Sequence, residues 1–335
     1  MEIARARAWR AGADGMKAAL KRFLASRAGW RLCAPLRPRG VYVLMYHRIS
    51  APGDFFGGVS VDNFRRQMEW LRDHCTPVWP EDVLRATQYA RRGKPPVVVT
   101  FDDGYRDFRT RAWPILQELG IPAAVFLATQ FMDRGGLLWT EQLEWAVRSS
   151  KATEVVPPWQ PDAAVLLETE AERRAFVRAA KERLKDAEDD DRRRWLESLL
   201  DRLCAADPES VLGRQMLSWE DVRACTENTC FGGHSHTHPI LSRVKDGGLD
   251  HEIRTCRDRI EGETGRYPKT FAYPNGRASD FDGRTRATLA KHGFGLSFST
   301  IEGVNRPETD RLALRRLHNW DSGAGELAAL MARTR

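Results

Sequence analysis

Two groups of side chains stand out for the chemistry that their types and spacing allow. The first is Asp102-Asp103-Gly104, two adjacent carboxylates directly after the apolar run Val97–Phe101. Consecutive strand side chains point opposite ways, but a turn at the strand end can swing both into one cleft, and Gly104 supplies the bend. Such a pair can divide its work, one carboxylate binding a cation while its neighbour handles a proton. Asp-Asp-Gly is also a common turn, so the segment needs support from elsewhere in the chain.

That support comes from His234-Ser235-His236-Thr237-His238. A helical turn there would put His234 and His238 on one face, with His236 pointing elsewhere. Two imidazoles and one carboxylate make a three-ligand metal set that leaves open positions for water and substrate. Ser235 or Thr237 is suited to hold a nearby backbone N–H. A third segment, Tyr273-Pro274-Asn275-Gly276, ends an apolar run in a turn whose free N–H groups could face a developing oxyanion.

The elements that must position these groups alternate. Val41–Tyr46, Val97–Phe101 and Ala123–Ala128 read as buried strands, with further strands at Phe231–Gly233, Thr270–Tyr273, Phe294–Ser299 and Leu312–Leu317. Helical patterns cover Asp62–His74, capped by Asp62, and Asp107–Leu119, Leu249–Thr264 and Arg284–His292. The alternation predicts an α/β fold with a mainly parallel sheet or barrel. From Asp133 to Met216 the sequence is charged and helical, without an obvious strand. It reads either as an insertion forming a lid or as helices that decorate the barrel.

In this order, the three segments resemble the polysaccharide deacetylase family, also described as the NodB-homology domain or carbohydrate esterase family 4. Thr100–Gly104 is similar to its TFDDG motif, His234–His238 to its H[ST]xxH motif, and Tyr273–Gly276 to its third-motif turn. Val43–Ile49 resembles the opening MYH strand of a branch that deacetylates surface or exopolysaccharide amino sugars. The resemblance spans about residues 41–320. It implies a distorted (β/α) barrel with a helical insertion and a site at the carboxyl ends of the strands. It also implies Asp102 as general base and Asp103, His234 and His238 as ligands of a divalent metal. That metal is most often zinc, with nickel or cobalt as substitutes. The substrate implied is an N-acetyl amino sugar in a polysaccharide or a lipid-linked precursor. His47, Tyr273 and Asn275 are the substrate-binding candidates, with N–H groups near Tyr273–Asn275 facing the oxyanion.

Two departures from the family stand out. Many members carry an Arg in the third motif that orients the base, where this chain has Phe271 or Ala272. The family's general acid is a His in a late Leu-x-His motif, and His318 is the late candidate here. Deformylation of lipid-linked amino sugars, ring-opening hydrolysis in purine breakdown, and glycan binding without turnover remain alternatives on the same fold.

The chain-wide numbers bound the rest. With 335 residues and 42% hydrophobic content, the chain is long enough for a large core. The net charge of +7 is uneven: residues 1–40 hold ten Lys or Arg against two acids, and the remainder sums to −1. Residues 1–39 therefore read as a basic N-terminal extension and residues 40–335 as the deacetylase domain, with the insertion at about 133–216. Leu20, Phe23, Leu24, Trp30 and Leu32 form a rough apolar stripe in the extension. It reads as a solvated tail or as a helix lying on a membrane surface. No signal-peptide core or membrane-spanning run is present, which predicts a cytoplasmic protein, with peripheral attachment to the inner membrane as an option. The slightly acidic body argues against nucleic acid as a partner. Six cysteines without a CxxC pair read as reduced, structural thiols.

Overall fold

The computed structural model describes residues 16–89, 94–318 and 321–334. The apolar runs become parallel strands: β1 Tyr42–Tyr46, β2 Pro96–Phe101, β3 Ala123–Leu127, β4 Thr229–Gly233, β5 Thr270–Ala272, β6 Leu296–Phe298 and β7 Leu317–His318. Their order in the sheet is β6-β5-β4-β3-β2-β1-β7, and a short strand, Thr76–Pro77, pairs beside the start of β2. β1, β2 and β3 are buried at every position, because the sheet lies between a barrel interior on one face and helices on the other.

The strands curl into a half-barrel with helices around it. The segment before β7 draws the two edges together. Leu314 bridges to Phe298 of β6, and three residues later the chain pairs with β1. Register does most of the positioning. Tyr46 lies beside Phe101, Leu127 beside Gly233, and Met45 beside His318. His47, Asp102, His234 and His318 therefore emerge at one end of the sheet. The Gly232-Gly233 pair lets β4 and β5 approach. A Cβ at Gly232 would lie 2.6 Å from the Thr270 carbonyl oxygen, and one at Gly233 would lie 2.8 Å from the Phe271 ring.

The outer helices include α1 Arg27–Leu32, α2 Val61–His74, α3 Trp139–Ser149, α4 Glu170–Asp186, α5 Asp189–Leu203, α6 Asp246–Thr264 and α7 Ala324–Arg333. α2 starts after Ser60 rather than at a capping Asp62, which lies within its first turn. α3, α4 and α5 form the insertion and enclose their own apolar core, including Leu143, Val147, Phe176, Leu184 and Leu199. The insertion also holds a strand pair that sequence periodicity does not reveal, Glu154–Val155 with Val165–Leu166. Two residues per strand are too few for an alternation to register.

The N-terminal segment differs from the expected tail. Residues 1–15 lie outside the described residues, but 16–39 are helical in large part and lie against the body. Trp30 is buried, donates its indole N–H to the His74 carbonyl and meets Trp70 edge-on at 4.8 Å. Among the described residues no helix is long and apolar enough to cross a membrane.

Candidate active site

Asp103, His234 and His238 come together at the carboxyl ends of β2 and β4. Asp103 Oδ1 lies 3.2 Å from Nε2 of each imidazole, and the three ligand atoms all lie within 4.8 Å of one another. The two histidines do not sit on a helical turn, contrary to the i, i+4 expectation. They occupy an irregular loop after β4 in which Ser235 (φ 64°) and His238 (φ 59°) are left-handed. That kinked path, rather than helical periodicity, brings the two rings to one point. Asp103 (φ 75°) and Asn275 (φ 59°) share the conformation, so four of the six non-glycine residues with positive φ among the described residues belong to the site loops. Each such position costs on the order of 1 kcal/mol and persists because surrounding contacts hold it.

Those contacts are visible. The Ser235 hydroxyl accepts from the His238 N–H at 3.1 Å. The buried Glu252 carboxylate on α6 accepts from the N–H groups of His236 and Thr237 and from the Thr237 hydroxyl. The His234 N–H donates to the Leu127 carbonyl. Sequence spacing gave no sign of Glu252, because it acts from a helix on the loop backbone.

The donor set fits a metal. Tetrahedral ligation at about 2.1 Å separates ligand atoms by roughly 3.4 Å, close to the observed spacing. His234 Nδ1 lies 2.7 Å from the Ala272 carbonyl, so it carries the proton and leaves Nε2 as an electron-pair donor. Asp103 Oδ1 is buried yet makes no hydrogen bond of acceptable angle, although both imidazoles are near. Its lone pairs face the point that the three groups share. Burial would push the Asp103 carboxyl up, but the two imidazoles outweigh it and hold the group well below its ordinary range, in the anionic form a cation requires.

Asp102 stands beside this trio in a different environment. Arg316 grips it with two parallel bonds, Nη1 to Oδ1 at 2.7 Å and Nη2 to Oδ2 at 2.8 Å. Arg316 is itself buried and donates Nε–H to the Ser299 carbonyl at 2.8 Å. Burial alone would raise Asp102; the Arg316 guanidinium, helped by His234, reverses this and holds it below the ordinary carboxylate range. The missing third-motif Arg thus has a stand-in, delivered by the closing segment before β7. Sequence reasoning missed it because Arg315 and Arg316 are adjacent and equivalent in type. In the structure Arg315 is exposed and Arg316 is enclosed.

The other candidates divide. His47, Asp102, Asp103, His234, His238 and Asn275 line one cavity of about 220 Å3. The insertion supplies a wall of it through Leu138, Trp139, Thr140 and Lys185, so its helices do more than decorate the barrel. A neighbouring cavity of about 510 Å3 shares His47 and Tyr105 with the first and is lined by His318. The His47 and His318 rings stack at 5.9 Å, and His47 Nε2 is 3.9 Å from Asp102 Oδ2. Partial burial, then the charges of His47 and Arg316, push the His318 imidazole down to about 4.

Tyr273 does not face either cavity. Its ring is buried at 4.0 Å from Phe281, its hydroxyl donates to the Leu312 carbonyl, and its N–H donates to Phe298. Its aromatic ring is drawn into the apolar layer beneath the turn, away from the expected substrate position. Asn275 keeps the position: its side-chain amide is held by Asp280, and its N–H has no acceptor among the described residues. His74 and His292, outside both cavities, are buried and bonded to the Trp70 carbonyl and to Asp250 respectively.

Comparison with known proteins agrees with this architecture. A family model described as polysaccharide deacetylase matches residues 89–296. The putative polysaccharide deacetylase YxkH of Bacillus subtilis (strain 168) is 32% identical over 112 residues, covering 32% of this chain and 39% of that protein. The poly-beta-1,6-N-acetyl-D-glucosamine N-deacetylase of Escherichia coli (strain K12) is 35% identical over 95 residues, covering 27% of this chain and 14% of that protein. The matches thus span well under half the length of these two relatives. Among solved structures, the Streptococcus pyogenes deacetylase PplD in complex with acetate aligns with a TM-score of 0.58 at 18% identity, over 88% of this chain and 99% of that one. IcaB from Ammonifex degensii aligns with a TM-score of 0.57 at 19% identity, over 88% of this chain and 98% of that one. At these identities the structural likeness speaks to the fold. With the match of the family model across 89–296, it shows that the chain is a member of the polysaccharide deacetylase family.

Proposed function

We propose that this protein is a zinc-dependent N-deacetylase acting on amino sugars of a glycan. The observation that carries the reading is the convergence of Asp103 Oδ1 with two imidazole Nε2 atoms at 3.2 Å, beside an Asp102 carboxylate clamped by Arg316. Asp103, His234 and His238 would hold the metal, which supplies Lewis-acid polarisation of the amide carbonyl and acidifies water. Two nitrogens and one carboxylate oxygen suit zinc, with nickel or cobalt as substitutes.

The chain's own residues do the rest. Asp102 takes the proton of the attacking water. Arg316 fixes the plane of that carboxylate and keeps it ionised. The Asn275 N–H faces the oxygen that gains charge as the amide carbon becomes tetrahedral. His318, held neutral by burial, takes up the proton that Asp102 removed from water and passes it to the departing amine, and His47 lies between it and Asp102, where it can contact the sugar. Trp139, from the insertion, covers the cavity and limits water around the reacting amide. The adjoining cavities that meet at His47 and Tyr105 suit a substrate longer than one sugar unit. The name of the Escherichia coli relative, a deacetylase of poly-beta-1,6-N-acetyl-D-glucosamine, supports the same substrate class.

The test is product release from N-acetylglucosamine oligomers and lipid-linked amino sugars by zinc-loaded protein. Acetate should appear with the parent protein and vanish in Asp102→Asn. Formate release from N-formyl sugars, without acetate release from their acetyl counterparts, would move the assignment to a deformylase. Glycan binding without any product would reject catalysis.

A further inference from the structure

The described residues expose nine large hydrophobic side chains, and five of them fall within residues 16–36. Met16 (72% exposed), Leu20 (57%) and Phe23 (44%) follow at i, i+4 and i+7 on the helical stretch 16–25, so they share one face. Leu32 (70%) and Leu36 (83%) continue the exposure beyond α1. The inward face of the same segment is anchored by Leu24 and Trp30. The apolar stripe read from the sequence is therefore split: two members fasten the segment to the body, and the others point outward. Arg37 stacks on the inner side of the anchor, its guanidinium 3.7 Å from the Trp30 ring centre.

The charge on this segment has one sign. Residues 16–39 contain seven Lys or Arg and no acid. Of these, Lys21 pairs with Glu326, Arg27 reaches Asp73 at 3.5 Å, and Arg37 is buried against Trp30. Arg22, Arg31 and Arg39 are exposed among the outward apolar side chains.

We propose that residues 16–36 are a docking surface for an anionic phospholipid bilayer, in which Met16, Leu20, Phe23, Leu32 and Leu36 enter the acyl boundary while the arginines meet lipid phosphates. Apolar tips interleaved with the exposed Arg22, Arg31 and Arg39 match that interface on both counts. Nucleic acid would use the arginines but leave the five apolar side chains in water. A second copy of the chain would bury the apolar face but bring like charges together. Trp30 fixes the patch to α2, and Lys21 ties it to α7 through Glu326. α7 begins three residues after Asp321, which lines the cavity shared with His47 and His318. Docking would therefore hold the catalytic mouth at a defined attitude to the bilayer.

The experiment is sedimentation of the full chain with vesicles of equimolar phosphatidylglycerol and phosphatidylcholine, against vesicles of phosphatidylcholine alone. Each basic side chain held at an anionic surface is worth about fivefold in affinity. The pair Arg22→Glu and Arg31→Glu should therefore weaken binding by about thirtyfold or more, and high salt should act likewise. The pair Leu20→Glu and Phe23→Glu should weaken it by about tenfold or more. These positions are exposed, so the variants should keep the parent's circular dichroism and melting, and vesicle binding is read independently of catalysis. Equal binding to both vesicle types, or binding untouched by Leu20→Glu and Phe23→Glu, would overturn the proposal. So would a dimer that those substitutions dissolve in protein that ignores vesicles, or binding to duplex DNA in its place.

Discussion

Replacing Arg316 by Met removes both bonds to Asp102 while keeping much of the side-chain volume. The carboxylate is left buried without a counter-charge. Truncating one partner of such a pair costs about 3–5 kcal/mol, much of it the penalty on the group left behind. The lost bond to the Ser299 carbonyl adds about 1 kcal/mol. Burial, the largest influence on Asp102, then acts without the opposing guanidinium, so its carboxyl moves up. Urea unfolding of metal-loaded protein measures the first effect, and the acid limb of kcat/KM against pH measures the second. That limb should move to higher pH. Adding Asp102→Asn to Arg316→Met removes the unpaired charge and should return most of the lost stability, though not activity. Arg316→Lys offers a single point charge in place of the fork and should fall between the extremes. A stable Arg316→Met protein with an unmoved acid limb would refute the reasoning, as would a double variant no more stable than the single one.

Three further outcomes follow from other parts of the molecule. Burial pushes Asp107 up to about 6 although Arg48 is nearby. Its folded value is raised, so the protein loses about 3 kcal/mol as pH climbs from 4 to 6, and Asp107→Asn should flatten that slope in a series of urea titrations. Gly232→Ala places a Cβ 2.6 Å from the Thr270 carbonyl oxygen and should destabilise by about 1–3 kcal/mol while weakening metal affinity, read by chelator competition. Under the proposed assignment, His318→Asn should lower kcat by about a hundredfold or more with metal content unchanged, and an unaltered kcat would remove His318 from the reaction.

What the sequence disclosed, and what it hid, follows from the range of each interaction. β1, β2 and β3 announce themselves because parallel strands buried on both faces read as unbroken apolar runs. Asp102, Asp103, His234 and His238 are conspicuous because few other roles call for those types so close together. Their conformation was not legible. The His234–His238 spacing reads as a helical turn, while the loop reaches the same convergence through left-handed Ser235 and His238. Arg316 was hidden because its meaning lies in a partner 214 positions away. Glu252 was hidden because it serves backbone N–H groups that any sequence possesses. Tyr273 misled for the opposite reason. It stands in a motif-like turn, but the aromatic ring finds its place against Phe281 beneath the cavity. At the N-terminus, composition revealed the charge but not that Trp30 pins the segment to His74.

The central claim is that Asp103, His234 and His238 share one cation and that Asp102 stays outside its ligand shell. X-ray absorption on cobalt- or zinc-loaded protein, with metal counted per chain, addresses it directly. One equivalent bound through two imidazole nitrogens and carboxylate oxygen is expected, unchanged in Asp102→Asn and lost in His234→Ala and His238→Ala. Full occupancy in His234→Ala, or loss of metal in Asp102→Asn, would contradict the account.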